Sequence, residues 1–465
     1  MSGYFERVTF PWGVPVLDSR NVVSTAGLAL ALAMMAMVTK FGYDEIQIVS
    51  LLLSLGGLGI LAANWHAHGG GRNASFLFLV LGYIFLCGRA FPALWGGESL
   101  LAQIGYVEEF DVMPATVVNY VLLVLASFFF IHLGSLIPRE TVPTLSTLPA
   151  DAQIYWRLFL LFLPALIYKN IYYFNYIMSH GGYLAIYQGS DHLEGVGVVA
   201  RVGALLCLSS FTLYFFHETD KRKAGRTLIF FLAVFATELL VGLRGKFFAV
   251  ALVFFLVYKL RFGEKFSARG LLAMLVSVIV IAVLVEIMRE QKDESLVGGT
   301  LLSGFLAQQG VSAGVSLVVL DDLAYFADYV WNYFWHQFTV PFYSQPEVPQ
   351  GWYLANDISM KVMPKAYAAG FGTGSSYLAE LLLLGGWVGV CAGSLFIGWL
   401  LSMTRHFYQG VAGAIVFWVV CGVVYYPRTM LHEPVHNLLR YAAPIILLAV
   451  CGVLIRHWQY KKSNA

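Results

Sequence analysis

Residues 227–258 read TLIFFLAVFATELLVGLRGKFFAVALVFFLVY. Two apolar runs, 227–242 and 247–258, meet at Gly242-Leu-Arg244-Gly-Lys246. Each run reads as a helix in lipid, because only helices and closed barrels satisfy every backbone polar group there. The glycines around Arg244 let the backbone leave the helix, so the guanidinium need not sit among acyl chains.

The same pattern recurs outward in both directions. Apolar stretches at 21–39, 46–63, 75–95, 115–137, 158–178, 202–216, 270–288, 374–401, 410–426 and 441–455 join these two. A span needs about 20 apolar residues, so the reading is an all-α polytopic membrane protein with about 12 transmembrane helices. Composition agrees. Of 465 residues, 59% are hydrophobic and 12% charged, against about 25% charged in a soluble domain. That excludes an aqueous enzyme, a disordered chain and a nucleic-acid binder. The five cysteines all lie in apolar runs and read as packing residues. Residues 1–20 carry Glu6, Arg7, Asp18 and Arg20, which is not the pattern of a cleaved leader.

Sidedness follows from Lys and Arg density. With both termini inside, the inner segments hold 17 of the 29 basic residues and the longer outer loops hold 10. The chain then divides into helices 1–9 (residues 1–288), a large external loop with short helices (289–373), and helices 10–12 (374–465). The loop, the Arg244 hinge and the segment 427–440 all face outside.

Arg89, Lys169, Glu238 and Glu286 fall within spans. Each costs about 2.5–3.5 kcal/mol at a helix centre, so each needs a partner or water. A polar cavity open to the outside is one common cause; buried ion pairs are the other. Arg244, Lys246, Arg289, Arg428 and Arg440 stand at outward span ends, and a guanidinium fork matches phosphate oxygens. In the loop, 296–320 reads as an amphipathic or re-entrant helix. Asp321 and Asp322 follow, then Trp331, Tyr333, Trp335 and His336, a mix suited to sugar faces and hydroxyls or to a membrane interface. His432-Glu433-Pro-Val-His436 offers a general base, and Pro434 argues against a continuous helix there. Neither this pair nor His66-Ala-His68 reads as a metal site, and no nucleotide or protease motif occurs.

In layout the chain resembles the oligosaccharide repeat-unit polymerases of the Wzy (O-antigen) type. The resemblance rests on the arginine in the break Leu240–Lys246, the large external loop before three last spans, and Gly370-Phe-Gly-Thr-Gly-Ser-Ser376 leading into Leu378–Trp387. Arg428 with Arg440, and Ile177-Met-Ser-His-Gly-Gly-Tyr-Leu184, add to it. It implies a GT-C-like, metal-independent membrane glycosyltransferase without cofactor, in the bacterial inner membrane with its site on the periplasmic side. Donor and acceptor would be oligosaccharides on undecaprenyl pyrophosphate, and a chain-length regulator is a candidate protein partner. Arg244, Arg428 and Arg440, with Arg289 and Lys246, would hold the pyrophosphate. Glu433 or His432 would take the acceptor's proton, with Asp321 and Asp322 as second choices. Trp331, Tyr333, Trp335 and His336 would contact glycan. An O-antigen ligase or another lipid-linked-sugar glycosyltransferase would use the same donor and arginines. A lipid-glycan transporter would need helix breaks in matching halves, and the sequence shows one, at Gly242–Lys246.

Overall fold

The computed structural model describes residues 46–70, 73–90, 112–137, 152–180, 191–241, 244–263, 309–336, 348–368, 372–404 and 409–463, with isolated positions beside them. The stretches 21–39 and 270–288, with Glu286 and Arg289, fall largely or wholly outside these residues. The described residues are all-helical in their regular structure.

The first helices are α1 (Ile46–Ala67), α2 (Ala74–Gly82, running on as a π-helical turn Tyr83–Cys87), α3 (Pro114–Leu136), α4 (Ala152–Ser179) and α5 (Asp191–His217). Next come α6 (Lys221–Phe235), α7 (Thr237–Leu240) and α8 (Arg244–Arg261). The loop contributes α9 (Val311–Asp321), α10 (Leu323–Ala327), α11 (Val330–His336), α12 (Leu354–Val362) and α13 (Pro364–Ala368). The chain closes with α14 (Tyr377–Met403), α15 (Gly410–Val424), a 3-10 turn Tyr426–Arg428, and α16 (Glu433–Ser463). Six of these, α1, α3, α4, α5, α14 and α16, are long and apolar enough to cross a membrane.

Local chemistry sets the element ends. Pro114 starts α3 in its first turn, where a missing N–H is harmless. Asp220 caps α6 by accepting from the Arg222 and Lys223 amides. The expectation that Pro434 interrupts a helix is corrected for the same reason. Proline is tolerated in a first turn, so α16 starts at Glu433 and runs unbroken past position 441. Arg440 therefore stands two turns inside a helix, not at its edge.

Close approach holds α3 to α14. A methyl group on Gly134 would strike the Leu395 carbonyl, and one on Gly398 the Ile131 carbonyl. Small residues thus let the two backbones touch, as membrane helix pairs require. Ser127 locks the contact through Tyr377 and Ser394, both at 2.7 Å. Further breaks accompany the hinge read from sequence. Gly197 and Gly385-Gly386 leave helical geometry, with Gly386 at φ 58°, a conformation that favours glycine. Helix α14 is thereby split, and its first piece, Tyr377–Leu384, is a short buried segment.

Helix α9 is apolar and buried along nearly its whole length. It packs on α3, α14 and the π-helical turn, so this part of the loop lies within the bundle. Asp321 at its end accepts from Thr116 Oγ1 at 2.7 Å. The bundle end that carries α9–α13 is called the loop end below.

Candidate functional site at the loop end

Two of the four intramembrane charges read from the sequence, Lys169 and Glu238, find one another. Lys169 on α4 pairs with Glu238 on α7 at 2.7 Å, and Glu238 is only 1% exposed. Next to it, Asn170 donates to Thr237 at 2.7 Å. Two consecutive α4 residues thus grip the short helix α7 and fix the approach to the hinge.

Beyond that pair lies a wider group. Glu238 is within electrostatic reach of Lys246 and Arg440 as well as Lys169. Lys246, half-buried in the first turn of α8, also senses Arg440 and Glu433. Tyr173 on α4 senses Arg201, Glu238 and Arg440. Lys169, Arg201, Lys246 and Arg440 therefore share a neighbourhood with Glu238 and Glu433: four cations against two carboxylates. The first turn of α8 adds the positive end of its dipole. A dianion is the ligand class that such a site fits.

Glu433 faces a second neighbourhood. Glu380, in the first turn of α14 and 5% exposed, accepts from Ser375 Oγ at 2.6 Å and from the Leu431 amide at 2.9 Å. Tyr426 donates to the Leu431 carbonyl at 2.7 Å, so both sides of that peptide are held. Tyr353 senses both Glu380 and Glu433, and burial pushes its phenol well above the ordinary range. His432 is buried, which lowers it to about 4, with His436 adding to the shift. It is therefore a weak base at neutral pH. Glu380, with Tyr333, Phe334, Val330 and Leu354, lines a small recess.

The other sequence-derived residues lie as follows. Arg428 donates to Gln309 at 2.9 Å and sits over the Phe85 ring, on the α9 side. Arg244 opens α8. Asp322 pairs with Lys361, whose hydrogen bond holds it below the usual carboxylate range. Tyr333 is buried and donates to Asp357 at 2.7 Å, an oxygen that the Gly351 amide also binds. His336 stacks on Trp352 at 4.0 Å. Trp331 and Trp335 are each 64% exposed.

Against this geometry, the sequence model described as O-antigen polysaccharide polymerase Wzy matches residues 29–462, nearly the whole chain. The chain belongs to the O-antigen polysaccharide polymerase Wzy family. Neither the curated proteins nor the solved structures give a match. Membership makes the chain a multi-pass membrane polymerase acting on lipid-linked oligosaccharide repeat units. In this Wzy polymerase Glu433 stands within reach of both neighbourhoods, the cations through Lys246 and Glu380 through Tyr353. Sequence reasoning missed Glu380, although it lies inside the apolar stretch 374–401. A carboxylate in an apolar stretch needs a partner or water, as Lys169 and Glu238 do, and that cost is its signal in the sequence.

Proposed function

We propose that this Wzy polymerase transfers the growing glycan as a block from undecaprenyl diphosphate to a single lipid-linked repeat unit. The reaction takes place at the loop end, on the periplasmic side of the inner membrane, with both termini inside. A GT-C-like bundle of about twelve spans is part of this reading.

The observation that carries it is the net positive group, Lys169, Arg201, Lys246 and Arg440, gathered around Glu238, with Glu433 within electrostatic reach of Lys246. Lys246 and Arg440, supported by Arg201 and by Arg244 at the start of α8, hold the donor diphosphate. Glu433 accepts the proton of the acceptor hydroxyl. The hydroxyl oxygen bonds to the anomeric carbon, the bond from that carbon to the diphosphate breaks, and the electron pair leaves on the lipid diphosphate. Fixed cations stabilise that developing charge, and removing one such donor lowers rates about 10²–10³-fold. Arg428, turned toward Gln309, supports the donor site, and Arg289, outside the described residues, is assigned there on its sequence position alone; Asp321 and Asp322, each tied to its own partner, remain second choices as base.

The test is surface-glycan assembly in cells whose own copy of the gene is deleted. Lys246→Ala, Arg440→Ala and Glu433→Gln, at normal protein levels, should leave caps of a single repeat. Full-length ladders from these variants would refute the assignment. Loss of every cap from deleting the gene would instead point to the ligase.

A further inference from the structure

The recess beside Glu380 is one side of a larger surface. Helix α11 supplies Val330, Tyr333 and Phe334 to its wall. Phe334 makes edge-on contacts with Trp331 at 6.3 Å and Trp335 at 5.1 Å, and both indoles point outward. Trp331 and Trp335 are four residues apart and share a helix face. Asn332, next on that turn, is exposed, and so is Asp328, in helical conformation just ahead of α11. Tyr333 and His336, by contrast, are turned to Asp357 and Trp352 and hold the helix in place. The surface thus runs from two bare indoles, past Phe334, to a carboxylate that is nine-tenths buried.

We infer that this recess and the indoles outside it form a saccharide subsite, which seats one pyranose of the repeat unit beside Glu433. The inference rests on the polymerase reading above. A pyranose has a flat face of C–H groups and a rim of hydroxyls. The indoles offer the face large, rigid contact area. Glu380 takes a rim hydroxyl: a carboxylate has about four acceptor positions, so it can add a sugar to the Ser375 hydroxyl and the Leu431 amide that it already holds. The recess is only large enough for a hydroxyl to reach in; the ring itself lies over α11. Leu431, whose amide Glu380 holds, stands two residues before Glu433, and both carboxylates act on Tyr353, so the subsite lies on the side of the base. A lipid-facing role for the same indoles is disfavoured by Asp328 and Asn332, which such a contact would draw from water.

The experiment uses the full-length protein in nanodiscs and three probes. These are the repeat-unit oligosaccharide freed from its lipid by mild acid, inorganic diphosphate, and brominated lipids. Calorimetry should show saturable oligosaccharide binding. Glu380→Gln and the pair Trp331→Ala with Trp335→Ala should each weaken it about tenfold or more, as loss of a charge-assisted hydrogen bond or a stacked ring implies. Diphosphate affinity should stay unchanged, which also shows that the variants are folded. Equal oligosaccharide binding by variants and wild type, or none by wild type, would overturn the inference. So would quenching of Trp331 and Trp335 by brominated lipid. If instead the oligosaccharide result holds while Lys246→Ala and Arg440→Ala still polymerise fully, the catalytic reading falls and the subsite stands.

Discussion

Replacing Lys169 by Met tests whether the cation group is one electrostatic unit. The Lys169–Glu238 contact is 2.7 Å and Glu238 is 1% exposed. At an effective dielectric of about 20, the attraction at that distance is on the order of 6 kcal/mol. Desolvation offsets most of it, so the pair adds little net stability. Breaking it is another matter, because the buried carboxylate left behind costs about 3–5 kcal/mol. Lys246 and Arg440 also act on Glu238, which places the expected loss near the lower bound, about 3 kcal/mol. Glu238→Gln should destabilise as well, because Lys169, Lys246 and Arg440 then face one another with only Glu433 as a counter-charge. The double variant should lose less than the sum, with a coupling of about 1–3 kcal/mol. Thermal unfolding of the purified protein reads these values. Added inorganic diphosphate makes the test specific: it should raise the melting temperature more in Glu238→Gln than in wild type, since the anion replaces the missing carboxylate. Additive single variants, or equal diphosphate shifts, would refute the reasoning.

Three further outcomes are expected. His432 takes up its proton near pH 4 in the fold against 6.5 ordinarily; its contribution is therefore complete above pH 6.5 and is lost as pH falls toward 4, about 3 kcal/mol in all. His432→Gln should flatten that part of the stability–pH curve measured by thermal unfolding. Gly398→Leu should abolish folded protein on size-exclusion chromatography, because its side chain meets the Ile131 backbone and α3 cannot withdraw without opening the contact with α14. Thr116→Val, removing the hydroxyl that reaches Asp321 at 2.7 Å, should cost about 1–3 kcal/mol of thermal stability while leaving the glycan ladder intact.

The sequence was most legible where one physical rule acts alone. Apolar length located the six long apolar helices of the described residues, and the cost of charge in lipid singled out Lys169 and Glu238, which the structure pairs. It was least legible where a residue's role depends on what the fold brings beside it. Tyr333 and Trp331 are alike in the sequence, yet one is turned inward by Asp357 and the other stands bare. Arg428 and Arg440 read as equals, but Gln309 draws Arg428 toward α9 while α16 carries Arg440 to Lys246. Pro434 looked like a breaker because its place relative to the helix start was not evident from spacing. The break at Gly385-Gly386 was hidden for a related reason: paired glycines within an apolar span serve close packing as readily as a turn.

That break explains how a membrane helix can present a carboxylate at all. An unbroken α14 would carry Glu380 on the same axis as its apolar remainder, with one face set by the contact with α3. Splitting at Gly386 frees the first piece, Tyr377–Leu384, to take its own direction while Ser127 still holds Tyr377 at its start. Glu380 can then meet the Leu431 amide across the bundle without tilting the long segment. Gly386→Ala forces a side chain into a left-handed backbone conformation, which costs on the order of 1 kcal/mol and favours straightening the helix. The expected result is a folded protein in which Glu380 no longer reaches Leu431, so polymer ladders shorten sharply while inorganic diphosphate binds as before. A Gly386→Ala protein with normal ladders would show that α14 keeps its bend for another reason and that Glu380 does not depend on it.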